Sequence, residues 1–314
     1  MKHLIVMGSL NIDLVATVER LPKAGETLQA GDLAMYEGGK GANQASAAAR
    51  LGGKVTMVGQ VGPDAFGARL TDALAAVGVN TSGIGVSRRA TGSASISVLP
   101  GGENAIVVSP GANACLSPDI AIERLQAAAP YHFLLGQLET PLPAVIAAFA
   151  EARRLNATTI LDPAPVQSLP DQLIADIDFV TPNQVEAAAL LGGDCDPPRT
   201  FEDARIVAGR LLRAGYRGIV LKLGPLGCYI ATAALAKEVP GFEVEAVDTT
   251  AAGDTFNAAF AVALAEGATP LNAAVFANAA AALSVTQSGA QNSIPGRAQV
   301  ESFLASRNIG ICSR

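Results

Sequence analysis

The run Val247-Asp248-Thr249-Thr250-Ala251-Ala252-Gly253-Asp254-Thr255-Phe256-Asn257 carries the clearest capacity for chemistry in this chain. It reads as a strand end, a tight turn of small residues and a helix start, with one carboxylate just inside the turn. Ala251, Ala252 and Gly253 have little or no side chain, so their backbone N–H groups can approach an anion closely. A helix N-terminus leaves its first amides without intrahelical partners and carries a partial positive charge, which makes it a ready phosphate site. Asp254 then stands beside the place a phosphoryl group would occupy, where a carboxylate can take the proton of an attacking alcohol. The chemistry suggested is phosphoryl transfer to a hydroxyl. The bland alternative is a plain helix start, since Asp and Thr are good caps and Gly is common in turns.

Two further groups have suitable chemistry. Asn11 and Asp13 lie two residues apart, so in an extended segment they share a side, with Ile12 on the other. An amide and a carboxylate on one face suit adjacent sugar hydroxyls, which both donate and accept hydrogen bonds; a turn after the first strand would also explain them. Gly38-Gly39-Lys40-Gly41-Ala42-Asn43 precedes a helix-like stretch. Its glycines permit close backbone approach, while Lys40 and Asn43 add polar groups. It is not a Walker A loop, because no Gly-Lys-Ser/Thr follows at the required spacing, nor the dinucleotide fingerprint, because Gln44 stands where the last Gly or Ala should be.

The elements that must position these groups follow from the apolar pattern. Strand-like runs at His3–Gly8, Val55–Gly59, Phe133–Leu135, Thr158–Leu161, Phe179–Thr181 and Gly218–Leu223 alternate with helix-like stretches near 43–51, 65–77, 117–129, 141–155, 183–191 and 201–215. This rhythm implies right-handed crossovers and a mostly parallel sheet covered on both faces, a three-layer α/β/α sandwich. Segments 11–37 and 91–109 break the rhythm with alternating apolar and polar residues, notably Thr27–Gly31 and Ser93–Leu99, and Pro100–Asn104 could join a hairpin. They are expected to form a small extra sheet within a single domain spanning 1–314. Two Ala-rich helices follow, one from Asp254 and one over about 270–286, and then a polar loop over 287–295.

Composition narrows the partners. Of 314 residues, half are hydrophobic and 16% charged, enough for a sizeable core. Trp is absent, aromatics are 4% and the net charge is −6, which argues against base stacking and phosphate-backbone binding. The four cysteines, at 115, 195, 228 and 312, form no CxxC pair, so no zinc site or disulfide framework is signalled and a reducing cytosol fits. The apolar run after Lys2 is too short for a signal peptide, and the Ala-rich stretch 256–286 is too interrupted for a membrane span.

The ordered blocks Gly8–Asp13, Gly38–Ala45, Gly136-Gln137-Leu138-Glu139, Thr181-Pro182-Asn183 and 247–257 resemble the ribokinase family, the phosphofructokinase-B type of sugar and nucleoside kinases, over essentially the whole chain. Pro22-Lys23-Ala24-Gly25-Glu26-Thr27, Gly111-Ala112-Asn113 and Gly289-Ala290-Gln291 fit as well. The resemblance implies a ribokinase-like fold whose small sheet acts as a lid. The implied reaction transfers the γ-phosphoryl group of Mg·ATP to O5 of D-ribose, with Asp254 as base and the amides of Ala251, Ala252 and Gly253 as anion hole. Asn11, Asp13, Gly39, Lys40, Asn43 and Glu139 would hold the sugar. Asn183, Lys222, Gly224, Gly227, Gly253 and Asn278 would lie along ATP, and Glu186 would act on Mg²⁺ through water. A monovalent cation, usually K⁺, would be held mostly by carbonyl oxygens of Asp248, Thr250, Ser284, Gln287 and Gly289, with Ser293.

The resemblance also implies pairing of lid sheets in a homodimer, and no nucleic-acid or membrane partner. Three positions depart from the family pattern, two of them being Lys222, which stands where Thr is frequent, and Asp162, where Asn is frequent. Gln184 follows Asn183 where Glu is typical, leaving Glu186 as the Mg²⁺-linked carboxylate. Rival readings are a sibling kinase acting on 2-deoxyribose, fructose, a keto-deoxy sugar acid or a nucleoside, and a sugar sensor without catalysis. A dinucleotide oxidoreductase is disfavoured, since no GxGxxG follows the first strand.

Overall fold

The apolar run near the N-terminus becomes strand β1 (His3–Met7) in the computed structural model, which describes residues 2–310. The other strands are β2 (Asn11–Thr17), β3 (Leu33–Gly38), β4 (Lys54–Val61), β5 (Asn80–Val86), β6 (Gly92–Val98), β7 (Asn104–Ser109), β8 (Phe133–Gly136), β9 (Thr158–Leu161), β10 (Phe179–Val180), β11 (Gly218–Lys222), β12 (Gly227–Thr232) and β13 (Ala236–Pro240). The helices are α1 (Lys40–Arg50), α2 (Ala65–Ala76), α3 (Pro118–Ala127), α4 (Leu142–Arg154), α5 (Asp171–Ala175), α6 (Gln184–Leu190), α7 (Phe201–Arg213), α8 (Ala252–Ala265), α9 (Pro270–Ser284) and α10 (Arg297–Ala305).

Among the described residues, nine strands form one sheet in the order β13-β12-β11-β10-β9-β8-β1-β4-β5. Pairing from β5 through β11 is parallel; β12 and β13 close one edge antiparallel. The alternation of a strand's side chains accounts for the unbroken apolar run of β1. Leu4 and Val6 pack with α1, α2, α8, α9 and α10, whereas Ile5 and Met7 pack with α3 to α7 on the opposite face. The three-layer sandwich expected from the sequence is therefore present.

Three local expectations are corrected. Thr27–Gly31 is not a strand; β3 starts only at Leu33, because Pro22, Gly25 and Gly31 interrupt the earlier stretch. Val247 ends no strand: residues 241–250 are irregular, and the Val247 N–H bonds to the Val285 carbonyl at 2.7 Å. The main sheet also runs on through β5, β12 and β13, whose sequences lack long apolar runs because they lie towards its edges.

The small sheet has the order β3-β2-β6-β7. β2 and β6 pair parallel at its centre, and the outer pairs are antiparallel. The hairpin expected at 100–104 joins β6 to β7, with the Leu99 N–H donating to the Glu103 carbonyl at 2.8 Å. β2 begins three residues after β1 ends and β3 leads directly into α1, so this sheet is continuous with the main sheet's edge of loops. The α1 start lies hard against the β1–β2 connection. Gly39 is its N-cap with φ +88°, and a Cβ on Gly41 would lie 2.6 Å from the Gly8 carbonyl carbon. Only glycine tolerates both conditions.

Candidate active site

Five adjacent parallel strands end at one rim, and the residue after or near each end is polar. In sheet order from β11 to β1 these are Lys222, Asn183 beyond β10, Asp162 after β9, Glu139 beyond β8, and Asn11 beyond β1. Between β1 and β8 the strand order changes direction, and a crevice at such a switch point is where open α/β sheets bind ligands. A cleft of about 840 Å³ lies at this rim, lined by Lys40, Asp162, Asn183, Glu186, Lys222, Gly224, Gly227, Asn278 and residues 251–254, among others. Asn11, Asp13, Gly39, Asn43 and Glu139 are not on its wall, but Glu139 and Asn43 are bonded to Lys40 and Asp254, which are.

Asp254 occupies the first turn of α8, and residues 251–254 at the helix start line the cleft; of the amides there, the Ala252 N–H donates to the Thr249 carbonyl at 3.2 Å. Its N-cap, Ala251, has φ +58° and makes no side-chain cap. A left-handed alanine costs about 1 kcal/mol, and such strain persists where surroundings impose it. The helix itself is held rigidly: Phe260 is fully buried and meets Phe179 of β10 edge-on at 5.4 Å.

The Asp254 carboxylate is buried and accepts hydrogen bonds from Asn43 Nδ2 at 3.0 Å and Gln44 Nε2 at 2.9 Å. Burial pushes its pKa above the usual carboxylate range; Lys40 opposes that rise, Asp162 adds to it, and the two amide bonds oppose it. Burial alone would lower the Lys40 pKa, but Asp254, Asp162, Glu139 and Glu186 together outweigh it and hold the ammonium protonated. The result is a carboxylate tuned toward neutral pH beside a fixed positive charge, which suits a general base acting on an alcohol.

At the β1–β2 connection, Asn113 anchors Asn11. Its Nδ2 donates to Asn11 Oδ1 at 2.8 Å, and its Oδ1 accepts from the Leu10 N–H at 2.9 Å. Glu139 accepts from Ser9 Oγ and from the Lys40 backbone N–H at 3.2 Å, tying β8's end to the α1 start. Asp13 sits half-buried against Gly38, with its pKa raised to about 6 by burial and then by Glu139. If the ionised form accepts bonds from sugar hydroxyls, KM for the sugar rises as pH falls through about 6, while an Asp13→Asn variant shows no such step. A wild-type KM flat between pH 5 and 8 would remove Asp13 from sugar binding.

On the cleft wall, Asn183 and Glu186 form a capping box on α6. The Asn183 N–H and Nδ2 each donate to Glu186 at 2.8 Å, and the Glu186 N–H donates back at 2.9 Å. They are thus a cap and its partner rather than two positions on one helix face. Burial raises the Glu186 pKa, against the pull of Lys222. Asn278 lines the cleft, and its amide nitrogen donates to the Val239 and Pro240 carbonyls at 3.0 and 3.2 Å, so it also pins β13. Gly224 and Gly227 have φ +59° and +103°, turns that a side chain would strain.

Ahead of the α8 start in the chain, Asp248 links two loops. It accepts from the Thr250 N–H at 2.9 Å and from the Gly289 N–H at 2.9 Å. Burial pushes its pKa up, but these bonds and the Thr250 hydroxyl outweigh that and hold it below the usual range. Ser284 and Gln287 adjoin through the Gln287 N–H to the Ser284 carbonyl, whereas Ser293 donates to the Ala290 carbonyl and has no direct bond to Asp248. Among the described residues, no cluster of three or more His, Cys, Asp or Glu could hold a metal ion. Among the described residues, no helix is long and apolar enough to cross a membrane. Cys312 lies outside the described residues.

Gln44 and Asn113 belonged to recognisable sequence blocks but had no assigned role. Gln44 is fully buried and bridges Asp254 and Asp162, each at 2.9 Å, while accepting from Gln137 Nε2. Its helical position gave a signal only in being polar within an otherwise small, apolar face. Asn257, one turn beyond Gly253, was likewise quoted without a role.

Comparison with known proteins gives the class. Residues 1–297 match the model of the pfkB family of carbohydrate kinases. A ribokinase of Haemophilus influenzae is 41% identical over 305 residues, covering 96% of this chain and 98% of its own length. The crystal structure of a ribokinase from Thermotoga maritima superposes with a TM-score of 0.87 at 37% identity, covering 97% of this chain and all of that one. The structure of Arabidopsis thaliana ribokinase complexed with ribose and ATP gives 0.89 at 34% identity, covering 96% of this chain and 98% of that one. The chain belongs to the pfkB family of carbohydrate kinases. It has the ribokinase-like fold and is a phosphotransferase of the sugar-kinase class.

Proposed function

We propose that this chain transfers the γ-phosphoryl group of ATP to O5 of D-ribose, giving D-ribose 5-phosphate and ADP. The observation that carries the reading is the buried Asp254 at the α8 N-terminus, facing the cleft between Lys40 and the anion-hole turn. Asn11 and Asp13 hold adjacent sugar hydroxyls, with Gly39, Lys40, Asn43 and Glu139 around them. Asp254 takes the O5 proton as the O5–P bond forms and the bond from phosphorus to the β–γ bridging oxygen breaks, its electron pair leaving on ADP. The amides of residues 251–253 stabilise charge on the transferring group; positioning and electrostatics supply most of the catalysis.

A Mg²⁺ ion, when bound with ATP, would supply neutralisation of the phosphate charge. Glu186, a single cleft carboxylate, fits an ion held mainly by phosphate and water oxygens. The loops joined by Asp248 offer an ionised carboxylate with carbonyl and hydroxyl oxygens, a donor set suited to K⁺, through Asp248, Thr250, Ser284, Gln287, Gly289 and Ser293. Asn183, Lys222, Gly224, Gly227 and Asn278 border the nucleotide.

The small sheet serves as a lid, excluding water as the sugar binds. Its edge strands β3 and β7 expose Leu33, Met35, Tyr36, Ile106, Val107 and Val108, which supports pairing of two lids in a homodimer. A monomer by light scattering at micromolar concentration would dismiss the pairing. Scattered cysteines without a CxxC pair support a cytosolic enzyme, to be checked by cell fractionation.

The test of function is ADP formation with Mg·ATP and K⁺ across ribose, 2-deoxyribose, fructose, a keto-deoxy sugar acid and adenosine. Ribose should give the highest kcat/KM. Preference for another acceptor would keep the fold and base but change the substrate, and ribose binding without turnover would indicate a sensor.

A further inference from the structure

Two of the positions that depart from the family pattern, Lys222 and Asp162, are far apart in sequence and meet at the cleft. Lys222 Nζ lies 3.2 Å from Asp162 Oδ1 and 3.5 Å from Asn257 Oδ1, and it would be 3.6 Å from a Cβ built on Gly253. The ammonium therefore stands beside the α8 N-terminus, within reach of whatever the anion-hole amides bind. Its partner is fixed from the other side, since Asp162 Oδ2 accepts from Gln44 Nε2 at 2.9 Å. Asp162 is 2% exposed and the Lys222 side chain 13%, yet both line the cleft.

An ion pair this buried is poor at stabilising a fold, because desolvation of both charges offsets their attraction. A neutral pair would serve packing equally well. What the pair adds is an ammonium held at one place in a low-dielectric cleft. Lysine has three N–H donors; Asp162 and Asn257 occupy two, and the third has no protein partner among the described residues.

Resting on the phosphoryl-transfer reading above, we propose that Lys222 is a catalytic residue that hydrogen-bonds an oxygen of the transferring γ-phosphoryl group opposite the 251–253 amides, and that Asp162 is its positioning residue. Lys222 gains and loses no covalent bond in the step. It offsets the charge that gathers on the phosphoryl oxygens as the P–O bond to ADP breaks, alongside the backbone dipoles of α8. The proton of the sugar hydroxyl still goes to Asp254.

The test separates this role from simple charge balance. Lys222→Met leaves Asp162 buried and unpaired, so it should lose both thermal stability and turnover. Asp162→Asn combined with Lys222→Met removes both charges. In that double variant the thermal midpoint should return to within a few degrees of wild type, and KM for ribose should change less than threefold. Its kcat should stay about 10²-fold or more below wild type, as for loss of one electrostatic donor to a transition state. A double variant with both wild-type stability and wild-type kcat would overturn the proposal, since Lys222 would then only neutralise Asp162. So would a Lys222→Met protein that folds and keeps full turnover. Wild-type protein that turns over no sugar at all would instead defeat the phosphoryl-transfer reading on which this rests.

Discussion

Asp254→Asn should lower turnover with ribose by about 10²–10⁴-fold while leaving ribose and ATP binding nearly unchanged. The change is close to isosteric at a buried site, so the fold must accommodate an amide where a carboxylate accepted two bonds. One accommodation is available: Asn43 Oδ1 is buried without a partner, so a flip of the Asn43 amide lets that oxygen accept from a new amide nitrogen at 254. Gln44 continues to donate to the remaining oxygen. The variant should therefore unfold near the wild-type midpoint, and steady-state kinetics with calorimetric binding of both substrates would separate lost chemistry from lost structure. Wild-type kcat in this variant would show that Asp254 is not the base.

Gln44→Leu should be the most damaging change away from the reacting atoms. It removes the amide that bridges Asp254 and Asp162 and leaves both buried carboxylates short of a donor. Each unsatisfied buried group costs about 1–3 kcal/mol, and more when charged, so a loss of about 3–5 kcal/mol is expected by denaturant unfolding. The sign of its pH dependence follows from Asp254. The folded-state pKa is already raised, chiefly by burial, so the ionised form is the costly one in the folded protein. The destabilisation should then be largest above that pKa and shrink as pH falls through it. Since the Gln44 bond opposes the rise, its removal pushes the pKa up further, and the acid limb of kcat/KM should move to higher pH. An acid limb unmoved in a folded Gln44→Leu protein would mean that the amide supports the site sterically and does not tune the base.

These expectations differ in how far they could be read from residue order. The sandwich was legible because central parallel strands are buried on both faces and so appear as continuous apolar runs, as in Leu4–Met7 and Ile219–Leu221. Edge elements were not: β13 buries only Val239, and β5 has glycines where packing would otherwise show. Thr27–Gly31 alternates like a strand yet forms none, because alternation records a half-buried surface only when a partner strand lies beside it. The opposite failure occurs at 241–250, where the chain approaches the helix start as an irregular segment tied through Asp248 to Gly289.

By itself the sequence determined the class of chemistry and the main layers. Small residues before a helix, a carboxylate in its first turn and glycines ahead of α1 are local requirements, and local requirements are written in adjacent positions. Only the tertiary structure decided which polar groups meet. Asp162 directly after β9, Lys222 at the end of β11, Gln44 on α1 and Asp254 on α8 become one hydrogen-bonded chain because parallel strands end at a common rim and two helices start against it. Contacts between residues as many as 210 positions apart leave no periodicity to read. The charge and burial that tune the base therefore arise from packing, and no run of adjacent residues contains them.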